Sequence, residues 1–194
     1  MRRVVLFEHM SLDGCLAGPG ADMSWVRVDD EWWDYAAPII DAAGTAIFGR
    51  ITYQLMQAHW PSVADDPSAG PHDIHHSEWT KTATKLVFSK TLPAAPWDAS
   101  GDATLIRDDV ATVIRQLRQE AGKDLVVLGS ASLARTLIRA GLVDDYHISV
   151  NPVIVGGGTP LFPDMTSLRP LSLESSRIFK SGVVALHYTA AAPS

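Results

Sequence analysis

The sequence predicts an α/β fold of three layers, in which a mainly parallel β-sheet lies between two layers of helices. Short, apolar, β-branched segments alternate along the chain with segments whose apolar residues recur at helical spacing. This alternation is typical of parallel strands that are joined by helices. The last part of the chain holds strand candidates with no helix between them, which predicts an antiparallel hairpin at one edge of the sheet.

The first part of the chain supplies two strand candidates. Residues 3–9 form a short apolar run that ends at the turn sequence SLDG, and residues 44–50 (GTAIFGR) form the second run. Asp29 and Asp30 stand where a helix N-terminus favours acids, before EWWDYAAPIIDAA. A junction between a strand and a helix therefore falls at residues 49–52.

The tryptophans of this first helix are adjacent in the sequence. Trp32 and Trp33 could line a pocket or pack in the core. Because adjacent residues of a helix point to different sides, we expect only one of the two to face inward.

A surface loop is predicted for residues 61–77, because this segment holds three prolines and three histidines with little periodicity. Its sequence HDIHH could also be interpreted as a metal cluster, since imidazole and carboxylate are suitable ligands. The candidate ligands are His72, Asp73, His75 and His76. A polar loop is the simpler interpretation, and we predict no metal site.

The middle of the chain holds three further strand candidates. They lie at about residues 85–89 (within TKLVFSK), 103–107 (within ATLIRD) and 124–129 (DLVVLG). Asp108 or Asp109 is expected to cap a helix after the second of these. The third is almost uninterrupted in its apolar character, as in a strand covered on both faces, and the helical segment SASLARTLIRAG follows it.

Three strand candidates close the chain. The first spans residues 144–155 and is interrupted at Asn151 and Pro152, because proline lacks the amide that a central strand needs. Residues 171–179 and 183–188 are joined by KSG and predict the hairpin. Residues 190–194 are expected to fray.

The run of three glycines at residues 156–158 resembles a phosphate cradle at first sight. It leads into TPLFP, whose prolines oppose a regular helix, so no helix N-terminus follows to hold an anion. A tight, close-packed loop is the better interpretation.

Composition and charge restrict the class of protein. The 194 residues, 46% hydrophobic and 20% charged, fit a single domain over residues 1–194. A net charge of -6 argues against a nucleic-acid partner, and the one cysteine, Cys15, excludes an intrachain disulfide and a four-cysteine zinc site. The apolar run at the N-terminus ends at Glu8 and His9, too early for a membrane span or a signal peptide, so we expect a cytoplasmic protein that binds no membrane.

Three strand ends are candidate anion sites, because the free amides of a following helix attract negative charge. They lie at residues 49–50, 89–91 and 129–130. Gly129 is the strongest candidate, since a glycine there permits close approach of a phosphate and Ser130 adds a hydroxyl. Ordinary turns with serine caps are the alternative.

Four segments, in this order, resemble the dihydrofolate reductase superfamily. They are SLDG, IFGRITYQ, LVFSKT and LVVLGSASLARTLIRAGLVDDYHISVNPVIVGGGTPLF. The resemblance spans residues 3–188 and is to the bacterial branch that is similar to the C-terminal reductase domain of the riboflavin-biosynthesis protein RibD. It implies a dihydrofolate-reductase-like fold, NADPH as the hydride donor, and a homodimer.

The resemblance also implies which positions bind NADPH. Residues 49–52 match a phosphate-contacting GR-x-T turn, residues 89–91 match the strand end near the adenosine, and residues 129–133 match the pyrophosphate turn. The cofactor positions are Gly49, Arg50, Thr52, Ser89, Lys90, Thr91, Gly129, Ser130, Ala131, Ser132 and Leu133.

The substrate is expected at Ser11, Asp13 and Trp25. Asp13 lies just past the first strand and could bond a heterocyclic ring or help to supply a proton, so it is the predicted catalytic residue. Its alternative is a turn residue that bonds nearby backbone. Trp25 resembles the tryptophan before the first helix of folate reductases, although their proline-tryptophan start is not reproduced here.

The predicted function is an NADPH-dependent reductase that transfers a hydride to a C=N or C=O bond of a small heterocyclic or ribosylaminopyrimidine-like substrate, as a 5-amino-6-(5-phosphoribosylamino)uracil reductase does. A dihydrofolate or pterin reductase is one alternative. A non-catalytic, nucleotide-binding, dimeric protein on the same fold is the other, because a fold alone does not establish a function.

Overall fold

A computed structural model of the chain describes residues 1–98, 101–163, 165 and 168–191. The strands within these residues are β1 (Val4–Ser11), β2 (Cys15–Ala17), β3 (Ala43–Gly49), β4 (Thr84–Phe88), β5 (Thr104–Ile106), β6 (Asp124–Leu128), β7 (Asp145–Asn151), β8 (Thr159–Pro160), β9 (Leu171–Ile178) and β10 (Val184–Ala190). The α-helices are α1 (Asp30–Ala42), α2 (Arg50–Val63), α3 (Pro71–Thr82), α4 (Val110–Gln119) and α5 (Ala131–Arg139). None of the described helices is long and apolar enough to cross a membrane.

Eight of the strands form one sheet in the order β5-β4-β3-β6-β1-β7-β10-β9. The first six of this order are parallel neighbours, β10 is antiparallel to β7, and β9 is antiparallel to β10. The predicted parallel sheet with a C-terminal antiparallel hairpin is therefore confirmed. Ala190 is the last residue of β10, and residues 192–194 of the predicted frayed tail lie outside the described residues.

Helices cover both faces of this sheet. Side chains of α1, α2 and α3, among them Ile40, Tyr53 and Trp79, pack on one face. Ile114 of α4 and Leu137 of α5 pack on the other, and both are fully buried. The three-layer arrangement predicted from the alternation of strands and helices is confirmed.

Aspartates begin two of the helices, as the sequence indicates. The Asp29 carboxylate accepts the backbone N–H of Trp32 at 2.9 Å, and the Asp109 carboxylate accepts that of Thr112 at 2.9 Å. Each bond satisfies an amide that has no partner within the first helical turn. Of the two predicted caps for α4, Asp109 is the one that the structure uses.

The predicted loop over residues 61–77 is wrong, because α2 continues to Val63 and α3 begins at Pro71. Pro71 occupies the first turn of α3, where its missing N–H costs nothing. The buried face of α3 consists of aromatic and polar residues, so it lacks the apolar stripe that predicts a helix. Hydrogen bonds hold this face instead: Ser77 Oγ donates to the Trp60 carbonyl at 2.8 Å, and Trp79 Nε1 to the Ala43 carbonyl at 2.9 Å.

The glycine loop packs tightly against β2, as predicted. A Cβ on Gly158 would lie 2.0 Å from the Ala17 carbonyl oxygen, which leaves room for glycine alone. Gly156 and Gly157 have φ angles of 70° and 108°, a region that residues with a side chain rarely adopt.

Candidate functional site

A cavity of about 670 Å³ opens at the carboxyl ends of the parallel strands. β6 ends at Leu128, which pairs with Phe7, whereas β1 continues to Ser11. Beyond Phe7, β1 therefore has no strand partner on its β6 side among the described residues, and Glu8 and His9 border the open space. In a parallel sheet this edge is where ligands bind, because helix N-termini converge there.

Two of the strand ends predicted to bind phosphate meet at this cavity. Ser130 Oγ accepts the Gly49 N–H at 2.7 Å, and Thr52 Oγ1 donates to the Gly129 carbonyl at 2.9 Å and lies 3.0 Å from Ser130 Oγ. These bonds place the first turns of α2 and α5 side by side.

Glycine is needed on both sides of this junction. A Cβ on Gly49 would lie 3.0 Å from Ser130 Oγ. Gly129 has a φ of 59°, and a Cβ there would lie 3.2 Å from Thr52 Cγ2. Substitution at either position would force the two turns apart.

The first turns of α2 and α5 are not capped by their own side chains. Neither Gly49 nor Ser130, the residues that precede these helices, makes a side-chain capping hydrogen bond. Gly49, Ala131 and Ser132 line the cavity, so the uncapped amides and the positive ends of two helix dipoles are near it. Such an arrangement binds anions.

Two guanidinium groups add positive charge at the same side of the cavity. Arg50 is exposed, and its guanidinium approaches Gln54 Oε1 at 3.5 Å. Arg135 of α5 also lines the cavity and donates from Nε to the Ala131 carbonyl at 2.9 Å. Arg135 is not among the residues predicted from the sequence. It lies one helical turn after Ala131 and so reaches the same opening.

The other predicted cofactor positions do not line the cavity. Ser89 Oγ accepts the amides of Thr91 and Leu92 at 3.2 and 3.1 Å, and the Lys90 carbonyl accepts a bond from Arg107. Phe88 is the residue that this strand end contributes to the cavity. Leu133 is buried in the core between the sheet and α5.

Asp13 joins the β1–β2 turn to the glycine loop at residues 156–158 by hydrogen bonds. Its carboxylate accepts the Ser11 hydroxyl at 2.6 Å and the amides of Val155 and Gly156 at 3.0 and 2.9 Å. The Ser11 bond and these amides lower the pKa of Asp13 to about 2, so the side chain carries no proton at neutral pH. This arrangement matches the turn-forming alternative.

Ser11 and Trp25 belong to the same region outside the cavity lining. Ser11 is fully buried, and its Oγ also accepts the Cys15 amide at 2.9 Å. Trp25 donates from Nε1 to the Asp22 carbonyl at 3.0 Å. The structure thus places the three predicted substrate residues together with the β1–β2 turn and the loop that follows β2.

Aromatic side chains form the other end of the cavity. Trp32, Trp33, Trp60 and His76 line it, with ring centroids of Trp32 and Trp33 5.0 Å apart and those of Trp60 and His76 4.2 Å apart. The expectation that only one tryptophan of α1 faces inward is wrong. Trp33 packs against His72 and His76 of α3, which also lies beside the cavity. The sequence predicted a loop in place of α3, so this second packing surface was not expected.

Three titratable groups border this cavity without full hydrogen bonding, the buried Glu8 and His76 and the half-buried His9. Glu8 Oε1, His9 Nδ1 and His76 Nδ1 have no hydrogen-bond partner among the described residues. Burial raises the pKa of Glu8 well above its usual range, and the amides of Ser130 and Gly129 offset only part of that shift. Burial lowers the pKa of His9 to about 4 and that of His76 to about 3, so both imidazoles are neutral at pH 7.

A second polar cluster lies on β7 and β10. The ligand atoms of Asp145, His147 and His187 fall within 4.8 Å of one another. Arg3 donates to both Asp145 oxygens at 2.5 and 2.7 Å, His187 Nε2 lies 3.0 Å from Asp145, and Tyr35 bonds His147 Nδ1 at 2.8 Å. Each of these three side chains therefore already has a partner within the protein.

The histidines of HDIHH turn to separate partners. His72 lies 3.8 Å from Asp34 and His75 lies 3.1 Å from Asp41, whereas His76 faces the cavity. The helical conformation of α3 separates them, so this segment does not gather its imidazoles around one point.

Comparison with known proteins identifies the family. The family model described as RibD C-terminal domain matches residues 2–185. The chain belongs to the RibD C-terminal domain family. The family membership predicted from the sequence is thereby confirmed. The matched residues include all those that line the cavity.

Individual relatives cover the chain almost completely. The Bacillus subtilis (strain 168) protein YyaP, described as uncharacterized, is 30% identical over 189 residues, which cover 96% of this chain and 94% of YyaP. A putative riboflavin biosynthesis protein from Shewanella sp. PV-4 superposes with a TM-score of 0.72 at 18% identity and covers 99% of this chain and 100% of its own.

A third relative is a larger protein. The Thermotoga maritima diaminohydroxyphosphoribosylaminopyrimidine deaminase/5-amino-6-(5-phosphoribosylamino)uracil reductase gives a TM-score of 0.67 at 14% identity. The match covers 98% of this chain and 57% of that protein. At these identities the two structures establish the dihydrofolate-reductase-like fold, which confirms the predicted fold class.

Proposed function

We propose that the chain is an NADPH-dependent reductase that transfers a hydride to a C=N or C=O bond of a small heterocyclic substrate. One observation carries the proposal: a single cavity joins two uncapped helix N-termini and two arginines to a wall of tryptophans. The first end suits the phosphates of a dinucleotide, and the second suits a flat ring. Membership of a reductase-like family supports it.

The residues at the helix starts fit a dinucleotide. Gly49 and Gly129 let the two turns pack against each other, and the first turns of α2 and α5 offer amides to phosphate oxygens. Arg50 and Arg135 would neutralise phosphate charge. When bound, reduced nicotinamide supplies the hydride, and the apolar cavity walls exclude water from the reacting bond.

The relatives support a heterocyclic substrate. The Thermotoga maritima protein carries the name of a 5-amino-6-(5-phosphoribosylamino)uracil reductase, and the Shewanella protein that of a putative riboflavin biosynthesis protein. A pterin is the alternative substrate of the same chemistry. The other alternative is a non-catalytic protein. Such a protein would bind NADPH but would not oxidise it in the presence of any pyrimidine, pterin or carbonyl compound.

Removing the two guanidinium groups tests the cofactor site. We expect Arg50→Ala and Arg135→Ala each to raise the Kd for NADPH about 10- to 100-fold, because a hydrogen bond to a charged group contributes about 1.5–3 kcal/mol. Titration of NADPH fluorescence measures the Kd. Arg115→Ala removes the same charge from the exposed side of α4, outside the cavity, and serves as the control. Equal Kd values for all four proteins would contradict this site.

We also propose that β9 pairs with β9 of a second copy. All eight residues of this edge strand are exposed, and they include Leu171, Leu173 and Ile178 at 38%, 56% and 78% exposure. An unpaired edge with apolar side chains is a template for another strand, and antiparallel self-pairing satisfies two-fold symmetry.

Mass measurement in solution tests this edge. The wild-type chain is expected to sediment as a dimer, and Leu173→Lys as a monomer, because the lysine places like charges across the two-fold axis. Leu12→Lys changes another exposed leucine, 66% accessible and remote in sequence from β9, and should leave the mass unchanged. A wild-type monomer at micromolar concentration would refute the pairing.

A further inference from the structure

The charges that line the cavity are distributed unevenly. Among the described lining residues, the cations are Arg50 and Arg135, and both belong to the helices whose first turns form the proposed phosphate site. The tryptophan-lined end contributes no lysine or arginine from the described residues. A phosphate group carries about two negative charges at neutral pH and needs such a partner when water is excluded.

The histidines at the tryptophan-lined end do not replace a cation. His9 stacks on Trp32 with ring centroids 4.7 Å apart, and His76 lies between Trp60 and Trp79. Both rings are desolvated, and their pKa values of about 4 and 3 keep them neutral at pH 7. A neutral imidazole can still hydrogen-bond the polar edge of a heterocycle.

The walls of this end suit a flat ring. Trp33 and Trp60 lie 6.2 Å apart with their planes nearly perpendicular, so they form two sides of a corner, and Met56 lines the cavity beside them. Rings stack on such surfaces with about 1–3 kcal/mol per base-sized partner. The lining is otherwise mostly apolar.

We propose that the tryptophan-lined end binds a flat, uncharged heteroaromatic ring and that the substrate carries no phosphorylated tail. This inference rests on the proposed function, because it assigns the two arginines to the cofactor. It narrows the substrate class: the ring of a pterin or aminopyrimidine fits, whereas a phosphoribosyl group has no cation in this end to bind.

A matched pair of ligands tests the inference. Binding of 5-amino-6-ribosylaminouracil and of its 5′-phosphate is measured by calorimetry with saturating NADP⁺, so that the cofactor occupies both arginines. We expect the unphosphorylated compound to bind at least 10-fold more tightly, and a simple pterin to bind as well. Tighter binding of the 5′-phosphate, or no binding of any of these rings, would overturn the inference. Failure of NADP⁺ itself to bind would instead overturn the proposed function.

Variants locate the ring. Trp60→Leu and Trp33→Leu are each expected to weaken binding of the unphosphorylated compound about 10-fold through lost stacking, while the Kd for NADP⁺ stays the same. Trp25→Leu removes a tryptophan outside the cavity lining and is the control. Equal ring affinity in all three variants would place the ring elsewhere.

An acidic side chain also borders the cavity. Glu8 is the one acidic side chain among the described residues that line it. It is 4% exposed, and its Oε1 has no hydrogen-bond partner. The Glu8 carboxyl accepts the amides of Ser130 and Gly129. The other described lining residues that titrate or carry charge are His9 of β1, Arg50 of α2, Arg135 of α5 and His76 of α3.

We infer that Glu8 is the proton donor of the reduction, an assignment that also rests on the proposed function. A C=N bond takes up a hydride at carbon, which brings two electrons, and one proton at nitrogen. With Glu8 as the acid, the proton leaves its carboxyl as the hydride arrives, the product is CH–NH, and the cofactor is left oxidised. The Glu8 carboxylate then regains a proton from water.

Two measurements test Glu8. The infrared difference spectrum between wild type and Glu8→Gln should show a protonated carboxyl in the free protein at pH 7, as the role of proton donor requires and as burial of Glu8 favours. With an active substrate, Glu8→Gln should lower kcat about 10²- to 10⁴-fold and leave the Kd for NADPH unchanged. Wild-type kcat should fall as pH rises through the Glu8 pKa, and this fall should be absent in the variant.

The control is Glu78→Gln, which changes a glutamate paired with Lys81 on the surface of α3. An ionised Glu8 in the spectrum, or a Glu8→Gln variant with wild-type kcat, would refute the assignment. A wild-type protein that reduces no substrate would refute the proposed function, and the spectrum would still decide the protonation state of Glu8.

Discussion

The contact between the first turns of α2 and α5 is the constraint on which the cavity depends. Ser130 Oγ receives the Gly49 amide at 2.7 Å and lies 3.0 Å from Thr52 Oγ1, so one hydroxyl joins two strand ends. The bond holds two helix N-termini together without using a side chain as a cap for either. Their amides and dipoles are thereby directed to one side of the cavity, and the two glycines permit the close contact between the turns.

The point at which β6 ends decides which residues of β1 border the cavity. Because β6 stops opposite Phe7, the next two residues of β1 border the cavity instead of a neighbouring strand. Those residues are Glu8, whose pKa burial raises well above its usual range, and His9, whose pKa of about 4 leaves it neutral at pH 7. The cavity thus combines two arginines, helix amides and the Glu8 carboxyl near the Gly129 turn with tryptophan and imidazole rings at the other end, which matches a charged cofactor beside an uncharged ring.

The sequence predicted the fold well because its signals are local. Apolar strands, the Asp29 and Asp109 caps and the KSG hairpin each leave a pattern of a few residues. It predicted the Gly49 and Gly129 turns for the same reason. It could not predict the roles of Glu8 and His9, since these depend on where β6 ends. It also missed the α3 wall, because polar hydrogen bonds rather than an apolar stripe bury that helix.

The central claim is that one cavity binds the phosphates of NADPH at the α2 and α5 starts and presents the nicotinamide toward the tryptophans. A crystal structure of the protein soaked with NADP⁺ tests it most directly. We expect phosphate oxygens within hydrogen-bond distance of amides in the first turns of α2 and α5, with Arg50 and Arg135 beside them. A dinucleotide bound elsewhere, without contact to the Gly129 turn, would contradict it.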